Sequence, residues 1–532
     1  MSASDIPASA DYSTAAAARD RHFSAIPNHR TLPEIVSANR SRYGEYPALA
    51  FNGRQHTNVA LLADAGRLAT VLRGAGVRYG DRVVVNLPNC PEIWICYLAC
   101  TMLGAVIVPT VPALTVDELA FVVSDSEPAV VITLREKANH FRNANAGYGS
   151  IKAVLAAGPG EPELTSLISV ASPLESVAAA APEDLAAIIY TSGTTGKPKG
   201  VMLSQGNLCR QVCLGFGFYV APGEDSRAAT LLMPLPLCHI FGFTVALMSL
   251  LMGNLLVMME RFDPAQALAL IKSHQIRIVS AVPTILVRLL AAEGAAQACG
   301  SVRQWDCGGS PLALELFDRV ERELGGMVTE GWGMSETSSA IAQNVAGVPR
   351  KRGSVGLALP GLELAVRSLE GRPCGAGEPG ELLVRGETVM QGYWNRPEAT
   401  ANAFTADGFL RTGDIGCVDS DGYCFIAGRK DDLIIRGGVN ISPRELEEAI
   451  LEHPAVGEVA VIGMPDSELG QIAAAFVVAR NDATPDPAGI LEFCRTRLAR
   501  HKLPGRMVII DQLPRNSTGK VIKAELRRLY AT

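Results

Sequence analysis

Short apolar runs alternate with amphipathic helical stretches from residue 61 to about residue 432. The runs RVVVNL (82–87), AVVITL (129–134) and RIVSAV (277–282) have the length and composition of buried strands. Strands that alternate with helices build sheets covered by helices, so the pattern predicts an α/β fold. At 532 residues the chain is too long for one hydrophobic core, which implies two or three domains.

The chain changes character twice after this alternating region. From residue 353 it reads as short strands and glycine-rich turns, such as GRPCGAGEPGELLVRG, which we interpret as a small β-barrel-like part. In the last hundred residues, SPRELEEAILEH predicts a helix that begins at the proline after Ser442, and EVAVIGM, AAAFVVA, a helix near 490–499 and RMVIID follow. We therefore expect a loose N-terminal arm at 1–30, a large N-terminal domain at 31–430 and a small, mobile α+β C-terminal domain at 431–532.

Composition argues against several classes of protein. The net charge of -6 and the pI near 5.9 give no electrostatic footprint for nucleic acid. The twelve cysteines are irregularly spaced without a C-x-x-C pair, which favours structural thiols in a reducing cytoplasm over a zinc site. The first thirty residues lack an apolar segment and carry Asp5, Asp11 and Asp20, which argues against a targeting peptide. We therefore expect a cytoplasmic protein, a monomer or homodimer, without a nucleic-acid partner.

One apolar run is long enough to cross a bilayer. FGFTVALMSLLMGNLLVMM (241–259) carries no charge over 19 residues. Gly253 and Asn254 divide it into a helix-length piece and a strand-length piece. We therefore expect a buried helix, a turn and a buried strand, and no integral membrane segment.

The segment YTSGTTGKPKG (190–200) concentrates glycine, hydroxyl side chains and lysine between two apolar runs, AAIIY and GVML. Backbone N–H groups, hydroxyls and the ammonium groups of Lys197 and Lys199 can converge there on phosphate oxygens. A Walker A loop would need glycine at 191 and serine or threonine at 198, where the chain has Thr191 and Pro198. The segment therefore predicts a phosphate-binding loop of another kind.

This loop resembles that of the adenylate-forming superfamily, which contains acyl-CoA synthetases, peptide-synthetase adenylation domains and firefly luciferase. Further motifs follow in the order of that family: PLCHIFG (236–242), GGSPL (308–312), GWGMSE (331–336), TGD (412–414), GRKDDLIIRGG (428–438) and PRNSTGK (514–520). The resemblance implies that the chain activates a carboxylic acid with ATP, releases pyrophosphate, and passes the acyl group from an acyl-adenylate to a thiol.

The resemblance assigns nucleotide-binding residues. The phosphate contacts would be Thr191, Ser192, Gly193, Thr194, Thr195, Gly196, Lys197 and Lys199. The adenine side and the α-phosphate would meet Gly308, Gly309, Ser310, Gly331, Trp332, Gly333, Met334 and Ser335. The ribose would meet Asp414 and Arg429, and Glu336 would bind Mg²⁺. Trp332 stands where the family usually has tyrosine.

The resemblance also assigns the reacting groups. Lys520 would bridge the substrate carboxylate and the α-phosphate. His239 would be an aromatic gate at the carboxylate entrance, with a buried, structurally hydrogen-bonded histidine as the alternative. The acyl pocket would comprise His239, Ile240, Phe241, Gly242, Val282 and Gly308. Asp431 would be the hinge of domain alternation, and Gly437 and Gly438 would line the thiol tunnel.

The implied substrates are ATP with Mg²⁺, a carboxylic acid, and CoA or the phosphopantetheine arm of an acyl carrier protein. An acyl-CoA synthetase is the leading interpretation, and a stand-alone acyl-AMP ligase that loads a carrier protein is the alternative. Val439 and Ser442 depart from the family's usual glutamate and tyrosine, which leaves the acceptor open. A nucleotide-binding protein without activity would be expected to lose Lys520 or Glu336, and both are present. The stretch 235–259 has no acidic residue, which predicts an apolar pocket for a fatty, aryl or alicyclic acid.

Overall fold

The computed structural model describes residues 15–24, 26–143, 148–174, 176–191, 198–220, 222–345, 347–437, 439–480, 483–515 and 521–530. Helices in these ranges commonly begin at a capping side chain or a proline, as at Thr115 and Ser204, whose side chains accept hydrogen bonds from the first turns of their helices. The α-helices are α1 (Ala15–Phe23), α2 (Leu32–Tyr43), α3 (Asn58–Gly74), α4 (Pro91–Leu103), α5 (Val116–Ser126), α6 (Arg135–Asn143), α7 (Pro162–Val170), α8 (Gln205–Tyr219), α9 (Ile240–Met252), α10 (Pro264–His274), α11 (Pro283–Leu290), α12 (Ala295–Ala298), α13 (Leu314–Glu323), α14 (Pro397–Ala403), α15 (Pro443–Leu451), α16 (Pro487–Arg495) and α17 (Lys523–Leu529).

The strands form four sheets among the described residues. They are β1 (Pro47–Phe51), β2 (Arg54–Thr57), β3 (Arg82–Asn86), β4 (Val106–Pro109), β5 (Val130–Thr133), β6 (Ala153–Ala156), β7 (Leu185–Thr191), β8 (Lys199–Ser204), β9 (Leu231–Met233), β10 (Leu256–Met258), β11 (Ile278–Ala281), β12 (Gln304–Cys307), β13 (Met327–Met334), β14 (Ser339–Gln343), β15 (Leu357–Ala358), β16 (Leu362–Arg367), β17 (Gly380–Gly386), β18 (Gly392–Tyr393), β19 (Leu410–Val418), β20 (Cys424–Arg429), β21 (Ile434–Arg436), β22 (Val439–Ile441), β23 (Val456–Asp466), β24 (Gly470–Ala479) and β25 (Arg506–Ile509). The three runs that opened the sequence analysis are confirmed as β3, β5 and β11.

Two of the sheets are built around parallel strands and carry the main core. One has nine strands in the order β15-β14-β13-β12-β11-β9-β10-β1-β2, and the other has seven in the order β18-β8-β7-β4-β3-β5-β6. The central pairs β13–β12–β11–β9 and β7–β4–β3–β5 are parallel. Parallel strands buried on both faces read as apolar runs, which explains why the sequence revealed them.

Two smaller sheets follow in the chain. The part expected to be barrel-like is a four-stranded antiparallel sheet, β16-β17-β19-β20, and no described ladder joins β16 to β20, so it is open. The last sheet contains β22-β21-β24-β23 with β25 beside β24, and α15 follows Ser442 as expected. The predicted fold class is confirmed: a large α/β part made of helix-covered sheets precedes a smaller α+β part.

The apolar run at 241–259 folds as the sequence predicts. α9 ends at Gly253, whose φ of 70° is left-handed, and β10 follows after Asn254. The Asn254 side chain donates a hydrogen bond to the carbonyl of Ala229 and its oxygen accepts one from Ser249. No helix in the described part of the chain is long and apolar enough to cross a membrane.

The expected loose arm at 1–30 contains an ordered helix. Residues 1–14 and 25 lie outside the described ranges, but α1 packs on α8. Phe23 is only 5% exposed, and its ring lies so close to Gly217 that a Cβ there would come within 2.7 Å. The arm is therefore held by the space that a glycine leaves on α8, nearly two hundred residues further along the chain.

We expect Gly253→Ala to destabilise the protein more than Gly294→Ala. Both glycines are left-handed, with φ of 70° and 74°, but a Cβ at Gly253 would lie 2.6 Å from the Tyr43 ring, whereas nothing lies within 4 Å at Gly294. The left-handed backbone costs about 1–2 kcal/mol at either site, and overpacking adds about 1–3 kcal/mol at Gly253 alone. Melting temperatures and urea unfolding of the two variants measure the difference. Equal losses would show that Tyr43 yields without cost.

Candidate functional site

Side chains from three sheets meet near the carboxyl end of β13. Trp332 of β13 donates its indole N–H to Asp414 of β19, with 2.8 Å between Nε1 and Oδ2. Tyr393 of β18 donates its hydroxyl to Oε1 of Glu336, which directly follows β13, at 2.9 Å. These contacts join the nine-, four- and seven-stranded sheets around one site.

Asp414 is the most firmly held carboxylate of this site. Trp332 occupies one oxygen, and Nη1 of Arg429 lies 2.9 Å from the other. Arg429 stands directly opposite Asp414 in the β19–β20 ladder, so the pairing follows from strand register. Burial alone would lower the pKa of the Arg429 guanidinium, but the charge and hydrogen bond of Asp414, together with the charges of Glu336 and Asp431, raise it overall. A carboxylate offers about four acceptor positions, so Asp414 can still accept from two ligand hydroxyls.

Glu336 lies in a short 3₁₀ helix, Ser335–Thr337, and is 9% exposed. Burial and the neighbouring Glu336 carboxylate raise the pKa of Tyr393, so its phenol stays protonated and continues to donate. Nζ of Lys199 lies 5.1 Å from the centre of the Tyr393 ring, which places this ammonium beside the pair. Tyr393 lies in none of the motifs that predicted the site. The aromatic pair in QGYWN (391–395), just before a helix, was the available signal.

The flanks of the glycine-rich loop are held by half-buried polar contacts. Thr191 and Lys199 are cross-strand partners at the ends of β7 and β8. Asp125 accepts hydrogen bonds at its side chain from Tyr190 (2.7 Å) and Arg396 (2.6 Å), and at its carbonyl from Trp394 (2.9 Å). The expected phosphate contacts Ser192, Gly193, Thr194, Thr195, Gly196 and Lys197 lie outside the described residues.

The glycines expected on the adenine side fall into two groups. At Gly308 a Cβ would meet only atoms at 3.6 Å, and Gly309 has a φ of 80° in the turn that follows β12, next to Ser310. At Gly331 and Gly333, by contrast, a Cβ would come within 1.8 Å of the Gln343 side chain and 1.7 Å of the Ser339 carbonyl. Gly333 is therefore required by the close approach of the β14 backbone, and a side chain at Gly331 would displace the Gln343 side chain, whatever these glycines contribute to a ligand.

A cavity of about 110 Å³ lies beside this turn. Of the six residues expected to form the acyl pocket, Ile240, Phe241 and Gly308 line it. Gly242 lies outside the lining because its Cα faces the Pro236 carbonyl, which a Cβ would approach to 2.4 Å. Val282 also lies outside the lining and faces Gly309 instead. Trp332 and Met334, expected at the nucleotide, line the cavity as well.

His239 caps the start of α9, outside the lining of this cavity. Burial lowers the pKa of its imidazole to about 4, so the ring is neutral near neutral pH. Its Nε2 is buried and makes no hydrogen bond to the described residues. A neutral imidazole can donate or accept one hydrogen bond at Nε2, so this atom is available to a ligand. No hydrogen bond between Nε2 and a described residue supports the alternative of a structurally hydrogen-bonded histidine.

The cavity also contains polar residues that the sequence analysis missed. Asp306 of β12 accepts hydrogen bonds from the Tyr219 hydroxyl and from Nε2 of Gln343, the latter at 2.9 Å. Burial raises the pKa of the Asp306 carboxyl to about 6. Gln211 of α8 lines the same space. The α9 residues that line the cavity are apolar apart from Thr244, whereas Asp306 and Gln211 add polar groups that the expected apolar pocket does not include. The aspartate within the strand sequence QWDC was the available signal.

Of the expected hinge and tunnel residues, Asp431 and Gly437 lie in the described part of the chain. Asp431 belongs to the 3₁₀ turn Lys430–Asp432 between β20 and β21, and Gly437 has a φ of 56° in the turn before β22. Gly438 and Lys520 lie outside the described residues. In the described ranges no group of three or more histidine, cysteine, aspartate or glutamate side chains could hold a metal by itself.

Comparisons with known proteins agree with this arrangement. The family model for an AMP-binding enzyme matches residues 36–394, and the model for an AMP-binding enzyme C-terminal domain matches 445–520. A long-chain-fatty-acid–CoA ligase of Bacillus subtilis is 34% identical, with 95% of each chain covered. The crystal structure of ATP-bound MatB from Rhodopseudomonas palustris has a TM-score of 0.88 and 33% identity over 94% of this chain and 99% of that one. The structure of the o-succinylbenzoate CoA synthetase of Bacillus subtilis, in complex with its acyl-adenylate intermediate, has a TM-score of 0.79 and 30% identity. The match covers 93% of this chain and 98% of that one.

We expect Trp332→Phe to weaken ATP binding on the order of 10-fold, because phenylalanine keeps a ring but cannot donate to Asp414. Trp305→Phe is the matched control: its indole also donates one hydrogen bond, to the backbone oxygen of Gly325 at 2.7 Å, but Trp305 does not line the cavity. Calorimetric titration of ATP into each variant gives the dissociation constants. Similar affinities for Trp332→Phe and the unaltered protein would contradict a role for this hydrogen bond.

Proposed function

The chain belongs to the AMP-binding enzyme family and is an AMP-forming acyl-CoA synthetase, and we propose that it acts on a small carboxylic acid. The observation that carries this proposal is the position of Trp332. Its ring lines the cavity while its N–H holds Asp414. An acid in the cavity and a ribose at Asp414 would thus be separated by a single side chain, which brings the two reactants together.

The proposed reaction has two steps. An oxygen of the acid attacks the α-phosphorus of ATP, the bond to the β-phosphate bridge breaks, and pyrophosphate leaves. The CoA thiolate then attacks the acyl carbon, and AMP leaves with the oxygen that linked the two. Both steps develop negative charge that fixed cations and donors stabilise. We assign the ribose hydroxyls to Asp414, the phosphates to the loop with Lys199, and the bridging ammonium to Lys520.

We propose Glu336 as the protein ligand of Mg²⁺. Magnesium is commonly bound by one or two carboxylates together with substrate phosphates and water, and Glu336 is a buried hard-oxygen donor of that kind. Tyr393 restricts the orientation of its carboxylate by donating to Oε1. Bound with ATP, the ion neutralises part of the phosphate charge.

The cavity volume supports a small acid. A cavity of about 110 Å³ is of the same order as the roughly 150 Å³ engineered cavity that binds benzene. One aromatic or alicyclic ring fits such a space, and a long alkyl chain does not. We therefore propose an aryl or alicyclic acid, although the matched Bacillus subtilis ligase is named for long-chain fatty acids.

We propose that the residues from Asp431 onwards turn as one unit between the two steps. Their buried side chains form clusters of their own, centred on residues such as Ile450 and Phe476. Contacts to the large part include polar ones, such as the Arg480–Glu315 ion pair at 3.1 Å and the Arg444 hydrogen bond to the Ile426 carbonyl at 2.8 Å. Polar contacts of this kind are typical of domains that move. We take CoA as the acceptor that meets Gly437 and Gly438 after the turn.

Acid-dependent exchange of labelled pyrophosphate into ATP, followed by thioester formation, tests this function. We expect benzoate- and cinnamate-sized acids to exceed palmitate by roughly 100-fold in kcat/KM, since the longer chain cannot enter. Exchange should require Mg²⁺, and free CoA should be acylated faster than a phosphopantetheinylated carrier protein. A preference for palmitate would refute the small-acid proposal, and a preference for the carrier protein would refute CoA as the acceptor.

A further inference from the structure

The deep wall of the cavity is polar. Gln211 and Tyr219 reach it from α8, Asp306 from β12 and Gln343 from β14. All four residues are buried, and Gln211 and Asp306 are each only 3% exposed to solvent. Polar side chains are costly to bury unless they are hydrogen-bonded, so four of them in the lining of a mainly apolar pocket call for a physical explanation.

Strand geometry fixes how deep this wall lies. Asp306 and Gly308 are two residues apart along β12 and its extension, so they point to the same face, and Asp306 is about 7 Å further from the nucleotide turn. That distance is close to the length of one substituted aromatic ring. An acid whose carboxylate lies at Gly308 would therefore bring its far end to Asp306.

Asp306 and Gln211 in this wall have hydrogen-bond acceptor positions that no described residue occupies. Each Asp306 oxygen accepts one bond, from Tyr219 or from Gln343, and an ionised carboxylate has about four acceptor positions. Oε1 of Gln211 is buried and has no partner among the described residues. Asp306 thus keeps acceptor capacity and Oε1 of Gln211 is an unpaired acceptor, and a ligand donor would satisfy both.

We propose that the acid substrate carries a hydrogen-bond donor, a hydroxyl or amino group, about one aromatic ring from its carboxylate, and that Asp306 and Gln211 accept from it. This inference rests on the proposed ligase function and narrows its substrate class. An isostere with a methyl group in that place leaves Gln211 unpaired. A second carboxylate there meets the Asp306 carboxylate and is disfavoured by charge.

Two matched series of acids test the inference on the full-length enzyme. They are 4-hydroxy-, 4-amino-, 4-methyl- and 4-carboxybenzoate, and the cinnamates with the same four substituents. The measurements are kcat/KM for acyl-CoA formation and the dissociation constant of each acid by calorimetry. In the series that reaches Asp306, we expect a donor-bearing acid to exceed its methyl isostere by roughly 10–100-fold in both, and the dicarboxylate to rank last.

Two variants assign the preference to the wall. Asp306→Asn removes the charge and half of the acceptor capacity, and Gln211→Met keeps length and volume without the oxygen. For each variant we expect the ratio of kcat/KM for the hydroxy acid to kcat/KM for its methyl isostere to fall about 10-fold. Gln205→Met is the matched control, because Gln205 is also buried on α8 but its oxygen already accepts from the Leu32 N–H at 3.3 Å, away from the cavity. Its ratio should equal that of the unaltered enzyme.

The outcomes separate the inference from the function beneath it. Equal or better use of the methyl acids overturns the inference and leaves the ligase activity standing. Gln211→Met should fold even if Asp306→Asn does not. An unchanged hydroxyl-to-methyl ratio of kcat/KM in Gln211→Met also overturns the inference, and the polar side chains would then only stabilise the packing of α8 on the sheet. Absence of both pyrophosphate exchange and acid binding with every acid overturns the small-acid function itself.

Discussion

The Asp414 carboxylate is fixed by two hydrogen bonds at the point where the sheets converge, and the site depends on that fixation. Its partners, Trp332 and Arg429, come from the nine-stranded and the four-stranded sheet. Without Arg429 this buried carboxylate would carry an unpaired charge, and without Trp332 one of its oxygens would lack a partner, so the sheets and the site stabilise each other. Because Trp332 also lines the cavity, the proposed function gives this interaction a second role, the placement of the acid relative to the nucleotide.

Local signals explain how much of the fold could be predicted from sequence. Parallel strands appear as apolar runs, and α15 begins at a proline in the position that favours it. α9, Gly253 and β10 were predictable because a left-handed glycine ends the helix within the apolar run. The packing of α1 was not predictable, since the space that Phe23 fills exists only because Gly217 lies opposite in the folded chain. A contact between residues so far apart in the chain produces no periodic pattern in the sequence.

The residues of the site likewise divide into those that could be predicted from the sequence and those that could not. Motif residues that share a strand or follow one, such as Asp414 and Glu336, could be named from the sequence because the resemblance covers them. The polar wall of the cavity could not, because Tyr219, Asp306 and Gln343 lie on three elements and become neighbours only after folding. Gly331 shows a further limit. Its motif suggested a ligand contact, while the structure explains the glycine by the Gln343 side chain packed against it.

Direct attack of the acid on the α-phosphorus makes a prediction about atoms. An acid labelled with heavy oxygen in its carboxylate should transfer one labelled oxygen to AMP during thioester formation and none to pyrophosphate. Mass spectrometry of AMP and pyrophosphate from a single turnover with labelled 4-hydroxybenzoate or 4-hydroxycinnamate, whichever is the better substrate, measures this directly. Label in AMP alone is the result that an acyl-adenylate formed beside Trp332 and Asp414 requires. Unlabelled AMP, or label in pyrophosphate, would contradict it.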